Sequence, residues 1–588
     1  MVKNRLYFFS IITVFILSLA IVTNPLSASM ATTDTKLIVR NSNQPLGKLG
    51  MIVIVDALNL TILQMTDTPN ITYLINEGLG FLNASTILPS ATTAAHVAMI
   101  TGAPPGINGV VHTVAYNATE YHLAPIDESP IKYNFRDMLR VDTLLEVVKA
   151  QGVKVGLIVS KSKLEIMSGR TYAVDRYYLL PDDVIDGDPH EPDYPIEKRK
   201  TCMEWITNAT LETIDSFYQY ILNGESALIV THYAEPDYVQ GAFGVDSPET
   251  IEMIEFIDAQ IGRILKKLQD LNLWSRTFMI LTADHSFVNV NYADNLLGSD
   301  NTHLSAIHTE HIVQETAGLL LFIYLKYPEK TQEVVNELKK YPWARNIWTR
   351  IPVENATGTL SDIGLDIDYA GDIVLDINPP YYASKYYGLG GHGGTITKTI
   401  PIIFAGGLLV KKSIDTPNIT DIGPTMAKVF GATLPNATGR AFDIIATTAK
   451  VSLSASPGIA SPGDTVSIEL NYTITGPISD GKAKIVVYNS TGSEIVSDEK
   501  SISDLEGSLT FNMTLNIEDT YTIYGYIVDG DGKILGGGAV NVLVISIAKP
   551  GYPYEKVVIG FAITIALFAV LIAIPIYFEK IRKKLVEE

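Results

Sequence analysis

The sequence predicts an α/β chain: a mostly parallel sheet covered by helices on both faces, then an immunoglobulin-like β-sandwich and one transmembrane helix. Three observations favour this fold class. Strand-like and helix-like segments alternate from about residue 45 to residue 445, period-two apolar runs replace them after residue 446, and a long apolar stretch lies close to the C-terminus. With 588 residues, the chain has room for two or three domains.

The N-terminus is typical of a secretory signal peptide, which we place at residues 1–30. Lys3 and Arg5 precede an apolar stretch over residues 6–22, and small side chains follow between residues 27 and 31. An uncleaved N-terminal anchor is the alternative interpretation. In both cases we expect the body of the chain to be exported.

The α/β domain is predicted to cover residues 45–445. Residues 142–151 are predicted to form a helix and residues 153–160 a strand. Ser247 followed by a proline is typical of a helix start. A helical apolar stripe then follows at Ile254, Ile257, Ile261, Ile264 and Leu268. Such alternation of strand and helix favours a mostly parallel sheet with helices on both faces.

The C-terminal part is predicted to contain the β-sandwich and a membrane anchor. Residues 449–546 show short period-two runs separated by turn sequences, as in an immunoglobulin-like domain. The apolar stretch at residues 557–578 is long enough to span a bilayer, and the basic tail at residues 579–588 is typical of the cytoplasmic side. The sequence therefore predicts a single-pass protein of the cell membrane with the bulk of the chain extracellular.

Composition narrows the classes of partner. The net charge of −20 argues against nucleic-acid binding, because an acidic surface repels phosphate backbones. The single cysteine, Cys202, excludes an intrachain disulfide. Export predicts N-linked glycans at Asn-x-Ser/Thr sequons. The sequons are Asn59, Asn70, Asn83, Asn117, Asn208, Asn355, Asn418, Asn436, Asn471, Asn489 and Asn512.

Three apolar strand-like runs each lead to an aspartate. The pairs are residues 51–55 with Asp56, residues 227–233 with Asp237, and residues 277–282 with Asp284. Because the carboxyl ends of buried strands meet at one edge of an α/β sheet, we expect these carboxylates to converge there. Carboxylate oxygens, together with the imidazole of the adjacent His285, could hold divalent metal ions.

Further motifs surround these aspartates in a fixed order. They are Pro69-Asn70, Pro89 with Thr92 and His96, Thr101-Gly102, Pro105, Gly109, Glu235-Pro236-Asp237, Asp284-His285, Gly391-His392-Gly393, Pro401–Gly406 and Asp421–Thr425. In this order and spacing the sequence resembles the alkaline phosphatase superfamily, specifically its type I phosphodiesterase/nucleotide pyrophosphatase branch, over residues 48–445. The resemblance implies an alkaline-phosphatase-like fold and a metal-dependent phosphoric diester hydrolase.

The resemblance also implies two divalent metal ions, with zinc expected first, and a threonine nucleophile, Thr92. The expected ligands are Asp56, Thr92, Asp284 and His285 for one ion and Asp237 and His392 for the other. The implied course is attack by Thr92 on phosphorus, a covalent phospho-threonine and its hydrolysis, with the cations stabilising the alkoxide. Thr93 is an alternative nucleophile, but the four-residue spacing to His96, itself expected to be structural, favours Thr92.

Two positions depart from the family pattern. Gly241 stands where the family has a metal-binding histidine, so the second ion lacks a ligand. Gln240 could supply an oxygen instead, which would favour manganese, magnesium or calcium there. The histidines that could substitute are His232, His303, His308 and His311. Thr113 stands where the family has an asparagine that donates to the phosphoryl oxygen, and Thr113 or its neighbour His112 is expected to donate instead.

The sequence thus predicts a hydrolase of small phosphate diesters or pyrophosphates, with nucleotides, lipid head groups and glycan-linked phosphates as substrate classes. A phosphoethanolamine-type transferase is an alternative, because an alcohol can compete with water for the phospho-enzyme. A cell-surface binding or structural protein with a degenerate phosphodiesterase domain is another, and Gly241 and Thr113 support it.

Overall fold

The computed structural model describes residues 47–546, except residues 126–130, 297–310, 317, 385–387, 476–477, 479, 531 and 533. The predicted signal peptide (residues 1–30), the apolar stretch at residues 557–578 and the tail at residues 579–588 lie outside the described residues.

The helices are α1 (Leu60–Met65), α2 (Pro69–Glu77), α3 (Thr92–Thr101), α4 (Pro105–Asn108), α5 (Ala118–Leu123), α6 (Phe135–Met138), α7 (Leu144–Ala150), α8 (Asp182–Ile185), α9 (Ile196–Leu222), α10 (Glu235–Phe243), α11 (Pro248–Asp270), α12 (Thr331–Leu338) and α13 (Ile422–Val429). The strands of the first part are β1 (Leu49–Val55), β2 (Leu79–Ser85), β3 (Val114–Tyr116), β4 (Lys132–Asn134), β5 (Lys154–Val159), β6 (Arg176–Leu179), β7 (Ala227–Tyr233), β8 (Thr277–Thr282), β9 (Val288–Asn289), β10 (His311–Glu315), β11 (Leu320–Leu325), β12 (Ala344–Thr349), β13 (Gly358–Thr359), β14 (Ile373–Ile377), β15 (Gly390–Gly391) and β16 (Thr399–Ala405). The strands of the last part are β17 (Thr448–Ser456), β18 (Ile459–Ala460), β19 (Thr465–Thr475), β20 (Lys482–Tyr488), β21 (Glu494–Ser501), β22 (Glu506–Thr514), β23 (Asp519–Val528) and β24 (Ile534–Val544).

The prediction that the fold includes a membrane-spanning helix is wrong for the described part of the chain. Between residues 47 and 546, no helix combines the length and the apolar character that crossing a bilayer requires. The two longest helices there, α9 and α11, are amphipathic and each carry several charged residues. The same finding contradicts the predicted location as a single-pass protein of the cell membrane.

The central sheet has the described strand order β2-β16-β8-β1-β7-β5-β6. Strand β1 lies between β7 and β8 and is parallel to both, with Leu49 opposite Ala227 on one side and Thr277 on the other. All residues of β1, β7 and β8 are buried, as expected for parallel strands that are covered on both faces. The predicted parallel core is confirmed, and the carboxyl ends of β1, β7 and β8 lie side by side.

The sheet is mixed rather than purely parallel, because β16 runs antiparallel to both β2 and β8. Helices cover both of its faces, as predicted. A Cβ on Gly50 of β1 would meet Met426 and Phe430 in and just after α13, whereas a Cβ on Gly156 of β5 would meet Thr213 and Phe217 of α9. Gly156 is in register with Ile229, and Gly50 with Leu228, so the two glycines face opposite sides.

Local signals predicted several elements correctly. The helix expected at residues 142–151 is α7, and the strand expected at residues 153–160 is β5. Ser247 caps α11 by accepting a hydrogen bond from the backbone N–H of Thr250. The carboxylate of Asp258 in α11 accepts hydrogen bonds from Asn70 and Ile71, so the Pro-Asn motif serves to fix α2 against α11.

Asn59 is the sequon residue nearest to the predicted site, and it is buried. Its exposed fraction is 5%, and its side-chain oxygen accepts a hydrogen bond from the backbone N–H of Ile62 to cap α1. A glycan has no room at this asparagine. Glycosylation at the other sequons stays a prediction.

The last part of the described chain forms two sheets, β17-β19-β22 and β18-β24-β23-β20-β21, around one apolar core. Its strands alternate buried and partly exposed residues, most regularly in β23. This alternation agrees with the period-two pattern of the sequence. The immunoglobulin-like classification and the exact domain limits stay predictions.

Candidate active site and metal centre

The predicted site lies where β1, β7 and β8 end. Asp56 follows β1 directly, Asp237 lies in the first turn of α10 after β7, and Asp284 and His285 follow β8. His392 joins them from the loop after β15. Asp56, Asp284 and His285 are fully buried, and the exposed fractions of Asp237 and His392 are 8% and 7%. The structure therefore brings together the residues for which the sequence predicts metal binding.

Three carboxylate oxygens in this cluster accept no hydrogen bond from the described residues. These open oxygens are Asp56 Oδ1, Asp237 Oδ1 and Asp284 Oδ2. All three face His285 Nε2, at distances of 3.4, 3.9 and 3.3 Å. Burial, followed by the nearby His392, lowers the pKa of His285 to about 3, so its ring is neutral and can donate from Nε2 to at most one of them. Buried carboxylate oxygens without donors are unfavourable unless a cation balances them.

The spacing of these atoms suits a metal ion. Ligands at about 2.0–2.2 Å from a tetrahedral zinc ion lie about 3.3–3.6 Å apart. Asp56, Asp284 and His285 form one group whose ligand atoms all lie within 4.8 Å of one another. Thr92 Oγ1 lies 3.4 Å from His285 Nε2 and would complete four ligands. Burial and the neighbouring Asp56 raise the pKa of Asp284 well above its usual range, as expected for a buried carboxyl group next to another carboxylate.

Thr92 is the first residue of α3, and its side chain is buried beside this group. The position at the start of a helix favours negative charge on its oxygen, because free backbone N–H groups point there. The hydroxyl of Thr93 lies instead 2.7 Å from the hydroxyl of Thr113. The geometry thus separates the two threonines, with Thr92 at the candidate metal ligands and Thr93 paired with Thr113.

Thr113 contacts the helix that carries Thr92. Its hydroxyl is hydrogen-bonded to that of Thr93, the residue next to Thr92. His112 turns elsewhere, since its Nδ1 lies 3.0 Å from the side-chain nitrogen of Gln314. Of the two candidate donors, Thr113 is thus the one that contacts the neighbour of Thr92, and its role as a donor stays a prediction.

His96 and His232 contact residues that are predicted to bind the first ion. His96 Nδ1 donates to the backbone oxygen of Thr92 at 2.7 Å, which agrees with its expected structural role. His232 Nε2 lies 3.1 Å from Asp56 Oδ2. This histidine therefore contacts a predicted ligand of the first ion and does not replace the histidine that is missing at Gly241. Of the other proposed substitutes, His311 begins β10 opposite Leu325. His303 and His308 lie outside the described residues.

The second predicted metal position has fewer ligands. His392 Nε2 lies 3.4 Å from Asp237 Oδ1, and its ring stacks on His285 with a centroid distance of 3.6 Å. A Cβ on Gly241 would meet no described atom within 4 Å, so the place of the family histidine is open space. Gln240 donates its amide to the backbone oxygens of Ala57 and Pro236, and its Oε1 accepts no hydrogen bond within the described chain.

Ser90 holds His392 in place. The backbone oxygen of Ser90 accepts a hydrogen bond from His392 Nδ1 at 2.9 Å. The backbone N–H of Ser90 donates to the backbone oxygen of Gly393. The hydroxyl of Ser90 donates to the backbone oxygen of Gly394. The loop of His392 is therefore tied to the segment that leads into Thr92.

Lys161 is the site residue that sequence reasoning missed. It follows β5, and its Nζ donates to Asp56 Oδ2 at 2.7 Å and to Asp237 Oδ2 at 2.6 Å. Burial lowers its pKa, but Asp237 and Asp56 together raise it well above the usual value, so the ammonium group is charged. Burial would likewise raise the pKa of Asp56, but Lys161 and His232 lower it well below the usual range. The position two residues after a buried strand was the available signal.

A buried ion pair supports the helix that carries Asp237. Arg199 Nη1 lies 3.0 Å from Glu235 Oε2, both side chains are almost fully buried, and Arg199 also donates to the backbone oxygens of Pro189 and Glu191. We expect Arg199→Ala to lower the free energy of unfolding by about 3–5 kcal/mol, because Glu235 would remain buried without a partner. Urea denaturation followed by circular dichroism measures this. The double variant Arg199→Met/Glu235→Met removes both charges and should lose clearly less stability; an equal or larger loss would contradict the explanation.

The sequence of the site region matches a known family. Residues 51–397 match the family model described as type I phosphodiesterase/nucleotide pyrophosphatase. This range contains Thr92, Lys161 and all of the candidate metal ligands. The chain belongs to the type I phosphodiesterase/nucleotide pyrophosphatase family. The match confirms the predicted resemblance to this family and agrees with the predicted class of enzyme, the phosphoric diester hydrolases.

Individual relatives of this family member are distant. Ectonucleotide pyrophosphatase/phosphodiesterase family member 7 is 22% identical in Mus musculus, over 39% of this chain and 47% of that protein. The Homo sapiens protein is 23% identical, over 39% of this chain and 45% of that protein. The chain thus matches about half the length of these relatives. Among solved structures, an inactive variant of murine ectonucleotide pyrophosphatase/phosphodiesterase 5 in complex with AMP shares 17% identity and covers 67% of this chain and 97% of its own, with a TM-score of 0.49.

Proposed function

We propose that this protein hydrolyses phosphodiester or pyrophosphate bonds of small substrates with the help of a divalent metal ion. The observation that carries this proposal is the convergence of the three open oxygens on His285 Nε2, with the hydroxyl of Thr92 at 3.4 Å from the same atom. The nucleotide-acting relatives of the family support the substrate class.

Asp56, Thr92, Asp284 and His285 would hold the ion. Bound there, it would act as a Lewis acid that polarises a phosphoryl oxygen and stabilises an alkoxide. A set of one imidazole with carboxylate and hydroxyl oxygens suits zinc first, and manganese as well. The sequence also predicts a second ion, for which Asp237, His392 and Gln240 are the candidate ligands.

Residues of the chain account for the rest of the proposed mechanism. Thr92 Oγ1 forms a bond to phosphorus while the bond to the leaving oxygen breaks, which gives a phospho-threonine. The N-terminus of α3 stabilises the negative charge next to it. In this mechanism the hydroxyl of Thr113, which contacts that of Thr93 beside the nucleophile, donates to a phosphoryl oxygen. Water then hydrolyses the phospho-threonine and restores the hydroxyl of Thr92.

The test uses the purified full chain and chromogenic nitrophenyl esters. A diester, bis-p-nitrophenyl phosphate, and a nucleotide ester, p-nitrophenyl thymidine monophosphate, are offered before and after a chelator removes bound metal. We expect turnover to fall more than about 100-fold on chelation and to return with zinc or manganese. A folded protein that binds neither metal and hydrolyses neither ester would overturn the proposal and favour a binding or structural protein with a degenerate phosphodiesterase domain.

A further inference from the structure

The second predicted metal position differs from the first in the side chains that surround it. Beside Asp237, the family histidine is replaced by Gly241, and the side-chain nitrogen of Gln240 is turned away to backbone oxygens. On the other side of Asp237, an ammonium group lies at 2.6 Å. His285 belongs to both candidate groups, so an ion at the first position leaves Asp237 and His392 of the second group, with Gln240 Oε1 as a further oxygen. A charged side chain lies next to that second position.

Lys161 is held in this place by its surroundings. Its exposed fraction is 6%, and its Nζ lies 4.7 Å from the centre of the Tyr238 ring in addition to its contacts with the two aspartates. The cation–π contact and the two short hydrogen bonds together hold the charged ammonium group of Lys161 in one position. A buried lysine with two carboxylate partners is fixed in a way that an exposed lysine is not.

The two aspartates divide their oxygens between Lys161 and the metal ligands. Oδ2 of Asp56 and Oδ2 of Asp237 bind Lys161, whereas Oδ1 of each is an open oxygen that faces His285. Lys161 therefore leaves Oδ1 of Asp56 free for the first ion, while Oδ1 of Asp237 faces His285 and His392. The charges also balance, because one divalent ion and one ammonium group neutralise the carboxylates of Asp56, Asp237 and Asp284.

We propose that Lys161 takes the place of the second metal ion, so that this chain binds one divalent ion and uses the ammonium group as its second fixed positive charge. The ion lies at Asp56, Thr92, Asp284 and His285, and Lys161 joins Asp56 to Asp237 next to it. This inference rests on the proposed metal-dependent hydrolase and departs from the two ions that the family resemblance implies.

The experiment counts metal ions per chain. Full-length protein is stripped with a chelator, saturated with zinc, freed of loose metal by gel filtration and measured by mass spectrometry of the metal, with isothermal titration for the affinity. We expect about one ion in the wild type and in Lys161→Arg, which keeps the charge. Gly241→His should also bind about one ion, whereas Lys161→Met/Gly241→His should bind about two, because it restores the histidine and removes the ammonium group.

The outcomes separate this inference from the proposed function. Two ions in the wild type, or in Gly241→His alone, would overturn the role of Lys161 and leave the hydrolase standing. A folded wild type that binds no zinc would overturn both. The double variant could fail to fold, but the Gly241→His result still decides, since a Cβ at Gly241 meets no described atom within 4 Å and this change is the better tolerated.

Discussion

Thr92→Ala is expected to reduce turnover of a chromogenic phosphodiester by at least about 1,000-fold while leaving the fold intact. The hydroxyl is the proposed nucleophile, and it lies 3.4 Å from His285 Nε2 at the start of α3. Removing it leaves no oxygen there to bond to phosphorus. Initial rates with saturating zinc measure the loss, and circular dichroism checks the fold.

Thr93→Ala is the matched control, because it removes the hydroxyl of the next threonine in the same helix. Thr93 contacts Thr113 and not His285, so we expect a loss of less than about tenfold. A radioactive phosphoryl group from a labelled substrate should appear on the wild type and on Thr93→Ala after acid quenching, but not on Thr92→Ala. Equal losses in the two variants, or labelling of Thr92→Ala, would contradict the assignment of the nucleophile.

The convergence of Asp56, Asp237 and Asp284 could be predicted because it depends on two properties that a sequence carries. Apolar runs without alternation indicate strands buried on both faces, and an aspartate within a few residues after such a run lies at the edge where the strands end. The register of β1 with β7 and β8 then brings the three carboxylates together. The parallel core of the sheet followed from the same signals.

Strand order could not be predicted in the same way. The antiparallel strand β16 is as apolar and as buried as the parallel β8, so nothing in its residues shows its direction. Nor does the sequence show that β5 lies next to β7 in the sheet. This neighbour relation is what brings Lys161, the residue two positions after β5, to Asp56 and Asp237.

His392 and Lys161 show two different limits of sequence reasoning. His392 comes from a loop more than 100 residues after β8, and only the family resemblance predicted it; the structure supplies the physical reason, its hydrogen bond to Ser90. Lys161 was missed because a metal site was expected to be built from carboxylates and imidazoles. A search for every charged residue within two positions after a buried strand would have included it.

His285→Ala is expected to weaken zinc binding by more than about 100-fold, beyond the loss that is usual for residues that only support a metal ligand. His285 belongs to both groups of candidate ligands, and its Nε2 is the atom that the three open oxygens surround. The variant would leave the first position with oxygen ligands alone. Competition with a chromogenic chelator measures the affinity.

His122→Asn is the matched control, since His122 pairs with Asp372, a residue outside both ligand groups. Its zinc affinity should stay within about threefold of the wild type, because a change outside the ligands and their hydrogen-bond partners leaves the site intact. If His285→Ala bound zinc as tightly as His122→Asn does, the ion would lie elsewhere and the cluster around His285 would not be the metal centre. If both affinities fell together, the loss would reflect damage to the fold, and near-ultraviolet circular dichroism would show it. A selective loss in His285→Ala is the result that only the proposed centre produces.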